Sequence, residues 1–279
     1  MYFIKDPGDL EQVRYETEHD GRIALVTLNR PRYKNAQSRR LLEEMDFCFQ
    51  WAVEDPQVRV IVLRGEGDTF SAGHDIGTAE EQADKEARPY EEGLRGRYKR
   101  TWDLYVDFGL RWRDLPKPTI ASVQGYCIFG GWMIASSMDI IFASEEAKFL
   151  PSRFQYFSVP WDLGARKTKE ILFQGRFLSA EEACELGFVN RVMPLEQLEA
   201  ETMAYARDVA EHDTFGLRLT KLAVNQMEEI QGYSAHIKDA HTLYMLGVAD
   251  GDAGPSRVEG TRRLTGVQVA FNREARQTE

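Results

Sequence analysis

Polar and apolar residues alternate from Val13 to Glu18, and an apolar, β-branched run follows from Ile23 to Leu28. His19-Asp20-Gly21 lies between them, so the segment predicts a β-hairpin. Arg30-Pro31 ends the second strand, because proline has no N–H to give a ladder. Leu41, Leu42, Met45, Phe49 and Ala52 recur at helical spacing, which predicts an amphipathic helix from about Ser38 to Val53. Val58 to Leu63 is apolar almost throughout, the pattern of a strand buried on both faces. Further strands are predicted at Thr119 to Val123 and at Asp139 to Ala143. Strands alternating with helices place the chain in the α/β class.

The stretch from Glu80 to Arg100 is dense in charge and broken by Pro89, Gly93 and Gly96. It reads either as a mobile surface excursion or, in an enzyme, as a lid or pocket wall. Trp102, Tyr105, Phe108 and Trp112 then form an aromatic stripe at helical spacing, expected to pack. Ser179-Ala180-Glu181-Glu182 is a capping-box pattern that opens a short helix. Gly187 ends it, and Phe188 to Val192 predicts a short strand. From Leu195 the pattern is helical. The expected division is therefore an α/β body over 1–195 and a helical region over 196–279, with a variable tail past about 250.

Composition narrows this picture. A chain of 279 residues, 43% hydrophobic, supports one large domain or a core with a smaller appendage. A net charge of -10 argues against nucleic acid or an anionic membrane as partner. Cys48, Cys127 and Cys184 are odd in number and without metal spacing, as free thiols in a reducing compartment are. His19, His212, His236 and His241 also lack metal spacing, so no metal is expected. Met1 to Leu10 has no long apolar run, and no window approaches the roughly 18 apolar residues of a membrane span. A cytoplasmic location is the expectation.

Two glycine-containing turns carry the candidate chemistry. Phe70-Ser71-Ala72-Gly73-His74-Asp75-Ile76 follows the strand at Val58 to Leu63. Gly125-Tyr126-Cys127-Ile128-Phe129-Gly130-Gly131 follows the strand at Thr119 to Val123 and precedes an apolar helix. A glycine turn that opens a helix leaves main-chain N–H groups free to face a ligand. Two such turns side by side aim two donors at one oxygen.

These turns, with Asn29-Arg30-Pro31, Lys34-Asn35-Ala36, Lys117 to Gly131, Asp139-Ile140-Ile141 and Phe177 to Val192, resemble the crotonase (enoyl-CoA hydratase/isomerase) superfamily. The resemblance runs from about Arg22 to about Gln226 in family order. It implies a spiral core of ββα units with a C-terminal helical region used in trimerisation, as a homotrimer or homohexamer. It implies an acyl-CoA substrate, with CoA as part of that substrate and no separate cofactor. The family's two oxyanion donors fall on the main-chain N–H groups of His74 and Gly130. They would hold the thioester carbonyl as it becomes an enolate. CoA-contacting positions fall near Lys34, Ala36, Ala72, Asp75 and Ile76.

The chain departs from the family where an ordinary hydratase has its catalytic glutamates. One position is Met133, and an ungapped alignment from Phe149 to Pro160 puts Arg153 at the other. Neither side chain activates water as a carboxylate does. Phe129 also replaces a usual glycine before the oxyanion glycine. Asp162 matches a position where several non-hydratase members carry a working carboxylate, and it also reads as a helix N-cap. The His74 imidazole either reaches substrate or is bonded away from it. Arg153 would counter a substrate carboxylate or join a salt bridge. Trp132, Met133, Phe154, Tyr156 and Trp161 would line an apolar acyl pocket or simply pack. The reading is an enolate-forming acyl-CoA enzyme, by isomerisation or atypical hydration through Asp162. The alternatives are a decarboxylase or retro-Claisen hydrolase, and a non-catalytic acyl-CoA-binding protein.

Overall fold

The structure is a computed structural model that describes residues 4–151, 155–250, 256–259 and 262–277. The hairpin forms as expected: β1 (Val13–Glu18) pairs antiparallel with β2 (Ile23–Leu28). Its turn places His19, Asp20 and Gly21 at positive φ. Helix α1 (Arg39–Glu54) starts at Ser38, whose side chain accepts from the Leu41 N–H. β3 (Val60–Gly65) begins two residues later than its apolar run, although Val58 is buried with it.

The segment expected to be a mobile excursion or else a lid or pocket wall forms two helices, α2 (Ala79–Ala87) and α3 (Gly93–Thr101). Few apolar residues hold them, which is why hydrophobic spacing did not reveal them. Charge does the work: Arg39 pairs with Asp84 at 2.5 Å, and Arg88 pairs with Glu43 at 2.7 Å. Tyr90 lies between the guanidinium groups of Arg39 and Arg100. The aromatic stripe that follows is wound as a π-helix over Trp102–Asp107 and continues as α4 (Phe108–Arg113).

β4 (Thr119–Val123), the short β5 (Tyr126–Ile128) and α5 (Gly130–Ser136) come next. β6 (Ile140–Ser144) and β7 (Lys148–Leu150) lead to α6 (Val159–Leu163) and α7 (Ala165–Gln174). β8 (Leu178–Ser179) precedes α8 (Ala180–Glu185), capped by Ser179 as the capping-box pattern predicts. β9 (Arg191–Met193) replaces the strand expected at Phe188 to Val192, whose first two residues turn into the core.

The strands form two layers. The larger sheet runs β1-β2-β3-β4-β6-β9 and is parallel from β2 onward. The smaller sheet runs β5-β7-β8. The main core fills the space between them and α1, with Phe49, Phe70, Trp112, Trp132 and Phe149 buried in it. The larger sheet's other face is covered by α9 (Leu195–Ala210) through Met203, Ala206 and Ala210. α10 (Thr214–Ile230) and α11 (Tyr233–Ala249) complete the helical region.

The described residues past 250, where a variable tail is expected, form regular structure. After β10 (Ser256–Glu259) and β11 (Arg262–Thr265), α12 (Gly266–Gln277) docks back on the smaller sheet, with Ala270 buried against Ile128 and Leu150. No helix among the described residues is long and apolar enough to cross a membrane.

Candidate functional site

The two glycine turns meet because their flanking strands pair. The Ser71 N–H donates to the Tyr126 carbonyl at 3.0 Å, and the Ile128 N–H donates to the Ser71 carbonyl at 3.0 Å. Phe70 to Ala72 thus runs parallel to β5, and the next residues of each segment emerge together. Gly73 has a φ of +88°, and a Cβ there would lie 2.6 Å from the Ile128 carbonyl oxygen and 3.2 Å from the Gly130 nitrogen. A Cβ on Gly130 would lie 2.8 Å from His74 Nδ1. Gly73 therefore requires glycine, by positive φ and close backbone approach, whereas a Cβ on Gly130 would meet only the Gln37 and His74 side chains. Gly130 opens α5, and among the described residues neither the His74 nor the Gly130 main-chain N–H donates to a protein acceptor.

A third segment clamps the His74 turn. The Gln37 N–H donates to the Gly73 carbonyl at 2.7 Å, and the Asp75 N–H donates to the Gln37 carbonyl at 2.9 Å. Behind it the Asp75 side chain, 0% exposed, pairs at 3.0 Å with Arg30, itself 2% exposed. The Asp75 carboxylate also accepts from Thr78 Oγ1 and from the N–H groups of Gly77 and Thr78. Arg30 reaches Glu80 and the Ala36 carbonyl as well. These bonds hold the Asp75 carboxyl below the usual carboxylate range despite its burial. Its side chain is committed to this network.

Phe129, between β5 and Gly130, has φ +46° and ψ -98°. For a residue with a Cβ this conformation costs about 1–3 kcal/mol and persists only where surrounding structure enforces it. Its side chain packs against the buried cluster of Ile128, Leu150 and Ala270, against which Tyr126, Phe177 and Val267 also pack.

The His74 imidazole stacks on Tyr105, ring centroids 4.1 Å apart, and the π-helix carries Tyr105 to that place. Nε2 lies 2.6 Å from Gln155 Oε1, while Nδ1 is buried with no partner among the described residues. Facing a carbonyl oxygen, Nε2 carries the proton and Nδ1 keeps its lone pair. Burial pushes the imidazole down to about 4, so it is neutral at pH 7.

Met133 packs with Tyr156, Tyr233, Trp161 and Val106 in one apolar cluster. Of the two readings of Trp132, pocket lining or packing, the structure shows packing: it belongs to the main core. It stacks on Phe188, ring centroids 3.7 Å apart. Its indole N–H donates to Asp162 Oδ2 at 2.8 Å.

Asp162 is not an N-cap: it is the fourth residue of α6, its own N–H bonded to the Ser158 carbonyl. Its carboxylate accepts from Trp132, Ser136 and Ser158 side chains. Desolvation outweighs these donors and pushes the carboxyl up to about 6. Asp162, Ser136, Trp161 and Tyr233 also line a cavity of about 520 Å³ whose far wall is α10. None of residues 72–76 and none of 129–133 borders that cavity.

The remaining candidates lie around the turns. Lys34, in a left-handed conformation, gives its carbonyl to the Ala72 N–H, and its ammonium meets Asp68 at 2.8 Å near the surface. Ala36 receives Arg30 on its carbonyl, and Ile76 is 99% exposed. Arg153 and Phe154 lie outside the described residues. Sequence reading missed Tyr105, Gln155 and Tyr233 as neighbours of the site. Tyr105 stood in the aromatic stripe, but its contact with His74 depends on the π-winding. Nothing local marks Tyr233, which arrives from the start of α11.

A sheet spiral with helices on its faces and two glycine turns pressed together defines the crotonase fold. The sequence profile of the enoyl-CoA hydratase/isomerase family matches residues 18–250, and the chain belongs to that family. It is 38% identical to "Putative enoyl-CoA hydratase EchA13" of Mycobacterium tuberculosis, over 87% of this chain and 82% of the relative. "Probable enoyl-CoA hydratase, mitochondrial" of Dictyostelium discoideum is 33% identical over 77% of this chain and 76% of that protein. Among solved structures, a probable enoyl-CoA hydratase from Mycobacterium smegmatis superposes with a TM-score of 0.78 and 40% identity. That match covers 86% of this chain and 95% of the other.

Proposed function

We propose that the protein binds an acyl-CoA thioester and stabilises its enolate with the main-chain N–H groups of His74 and Gly130. The observation that carries this is the pair of adjoining turns, held by Ser71–Tyr126 pairing, whose two N–H groups find no acceptor among the described residues. Charge develops on the thioester oxygen during proton loss, and fixed dipoles stabilise it without reorganising. Asp162 is the proton carrier: a partly buried carboxylate raised to about 6, ionised at pH 7 and able to accept a proton. With methionine at 133, the two-glutamate hydration route has lost that carboxylate. Isomerisation or an atypical hydration through Asp162 fits better.

A second reading has one observation in its favour. The neutral His74 imidazole, with a free lone pair beside Gly130, suits C–C bond chemistry on a β-keto or β-carboxy acyl-CoA. The deciding experiment incubates a panel of acyl-CoA thioesters in deuterium oxide. Deuterium entering the α-carbon supports the enolate reading, and CO2 from a malonyl-type thioester moves the assignment to decarboxylation. Thermal stabilisation by these thioesters without exchange or product leaves a binding protein. No stabilisation and no turnover across the panel removes the acyl-CoA proposal.

The same reading includes a homotrimer or homohexamer. α10 has no buried residue, and Phe215, Leu222, Met227 and Ile230 stand exposed along it, Ile230 at 80%. A face of this kind is covered by another copy in a cyclic assembly.

A further inference from the structure

We propose that Phe129 is a positioning residue that couples the docked C-terminal helix α12 to the Gly130 turn. This rests on the reading of Gly130 as an enolate-stabilising donor. Phe129 immediately precedes Gly130 and holds a left-handed φ of +46°. Glycine would adopt that conformation freely, whereas phenylalanine needs its surroundings to enforce it. The main chain supplies part of the constraint, as the Phe129 N–H donates to the Leu150 carbonyl at 2.8 Å.

The side chain packs against a cluster of Ile128, Leu150 and Ala270, to which α12 contributes Ala270. Tyr126, Phe177 and Val267 pack against the same cluster. Ala270 is 1% exposed, so α12 sits flush on the smaller sheet. The Phe271 ring meets Tyr126 at 5.5 Å and Phe177 at 5.1 Å. Polar contacts fix the helix along its length: Lys148 pairs with Glu274, and Arg273 donates to the Gln174 carbonyl at 2.9 Å. A glycine at 129 would satisfy the turn without any of this. The bulky residue makes the aim of the Gly130 N–H depend on whether α12 is docked.

The test is a double-mutant cycle in the full-length chain, with butyryl-CoA in deuterium oxide as probe. Ala270→Glu undocks α12 by burying a charge. It is expected to lower the saturated α-proton exchange rate on the order of tenfold, as an enforced strained turn relaxes, with half-saturation within about twofold. In a Phe129→Gly background the same substitution is expected to change the rate by less than about twofold. Ala270→Ser, which keeps the helix docked, is expected to retain wild-type exchange. Amide hydrogen exchange over residues 126–134 gives a readout independent of turnover: faster in Ala270→Glu, unchanged when Phe129→Gly is also present. An equal fall in both backgrounds, or no fall in either, overturns the coupling. Absence of α-exchange in the wild type sinks the enolate reading instead, and the amide measurement still decides the coupling.

Discussion

At the level of single residues, burial drives Asp162 and His74 in opposite directions. Asp162 rises from 3.8 to about 6, and His74 falls from 6.5 to about 4. At pH 7 the chain therefore holds an ionised carboxylate at Asp162 and a neutral imidazole at His74. Exchange at the α-carbon is expected to rise with pH through about 6, as Asp162 loses its proton; a flat profile from pH 5 to 8 would remove it as the base. The linkage sign is also fixed. Native Asp162 holds its proton more tightly than in the unfolded chain, so its contribution to stability falls as pH rises from about 4 to about 6. Above that window its ionised form costs up to about 3 kcal/mol. Asp162→Asn is thus expected to abolish exchange while raising the melting temperature at pH 8, with a smaller gain at pH 5. A carboxylate kept only for structure would lower it at pH 8. The sequence marked His74, Gly130, Met133 and Asp162. It could not mark Asp162's donors, because Trp132, Ser136 and Ser158 converge only once α5 and α6 are packed.

At the level of elements, the parallel strands and α1 were readable because apolar periodicity reports what a buried element needs. The helices of 79–101 were not, because ion pairs and Arg–Tyr stacking hold them. β5 is three residues long and lies within a glycine turn, too short for any period to show. The network behind the His74 turn yields the clearest stability prediction. Arg30→Leu leaves the Asp75 carboxylate buried without its cation, which typically costs about 3–5 kcal/mol. For a chain of this size that lowers the melting temperature by roughly 10 °C, and Arg30→Leu with Asp75→Asn together should recover much of it. A drop under 2 °C in calorimetry would mean that water reaches the pair. Because Asp75 directly follows His74, Arg30→Leu should also weaken acyl-CoA binding.

At the level of the whole molecule, the α/β body followed by helices was legible from the change in period near Leu195. The fate of the final residues was not: Val267, Ala270 and Phe271 are too sparse to predict docking, and only the exposed sheet β5-β7-β8 gives them a seat. The bare face of α10 makes a prediction at the same scale. Leu222→Glu with Ile230→Glu should convert a trimer or hexamer into monomers in sedimentation, with secondary structure retained; an unchanged mass would place the interface elsewhere. Catalysis through the enolate depends on where a thioester oxygen rests. The direct measurement is a crystal structure with a non-reactive acyl-CoA thioether or thioester bound. The expected result is a carbonyl oxygen about 2.7–3.1 Å from both the His74 and Gly130 main-chain nitrogens. An acyl carbonyl bound elsewhere, with those two N–H groups facing water or a side chain, would contradict it.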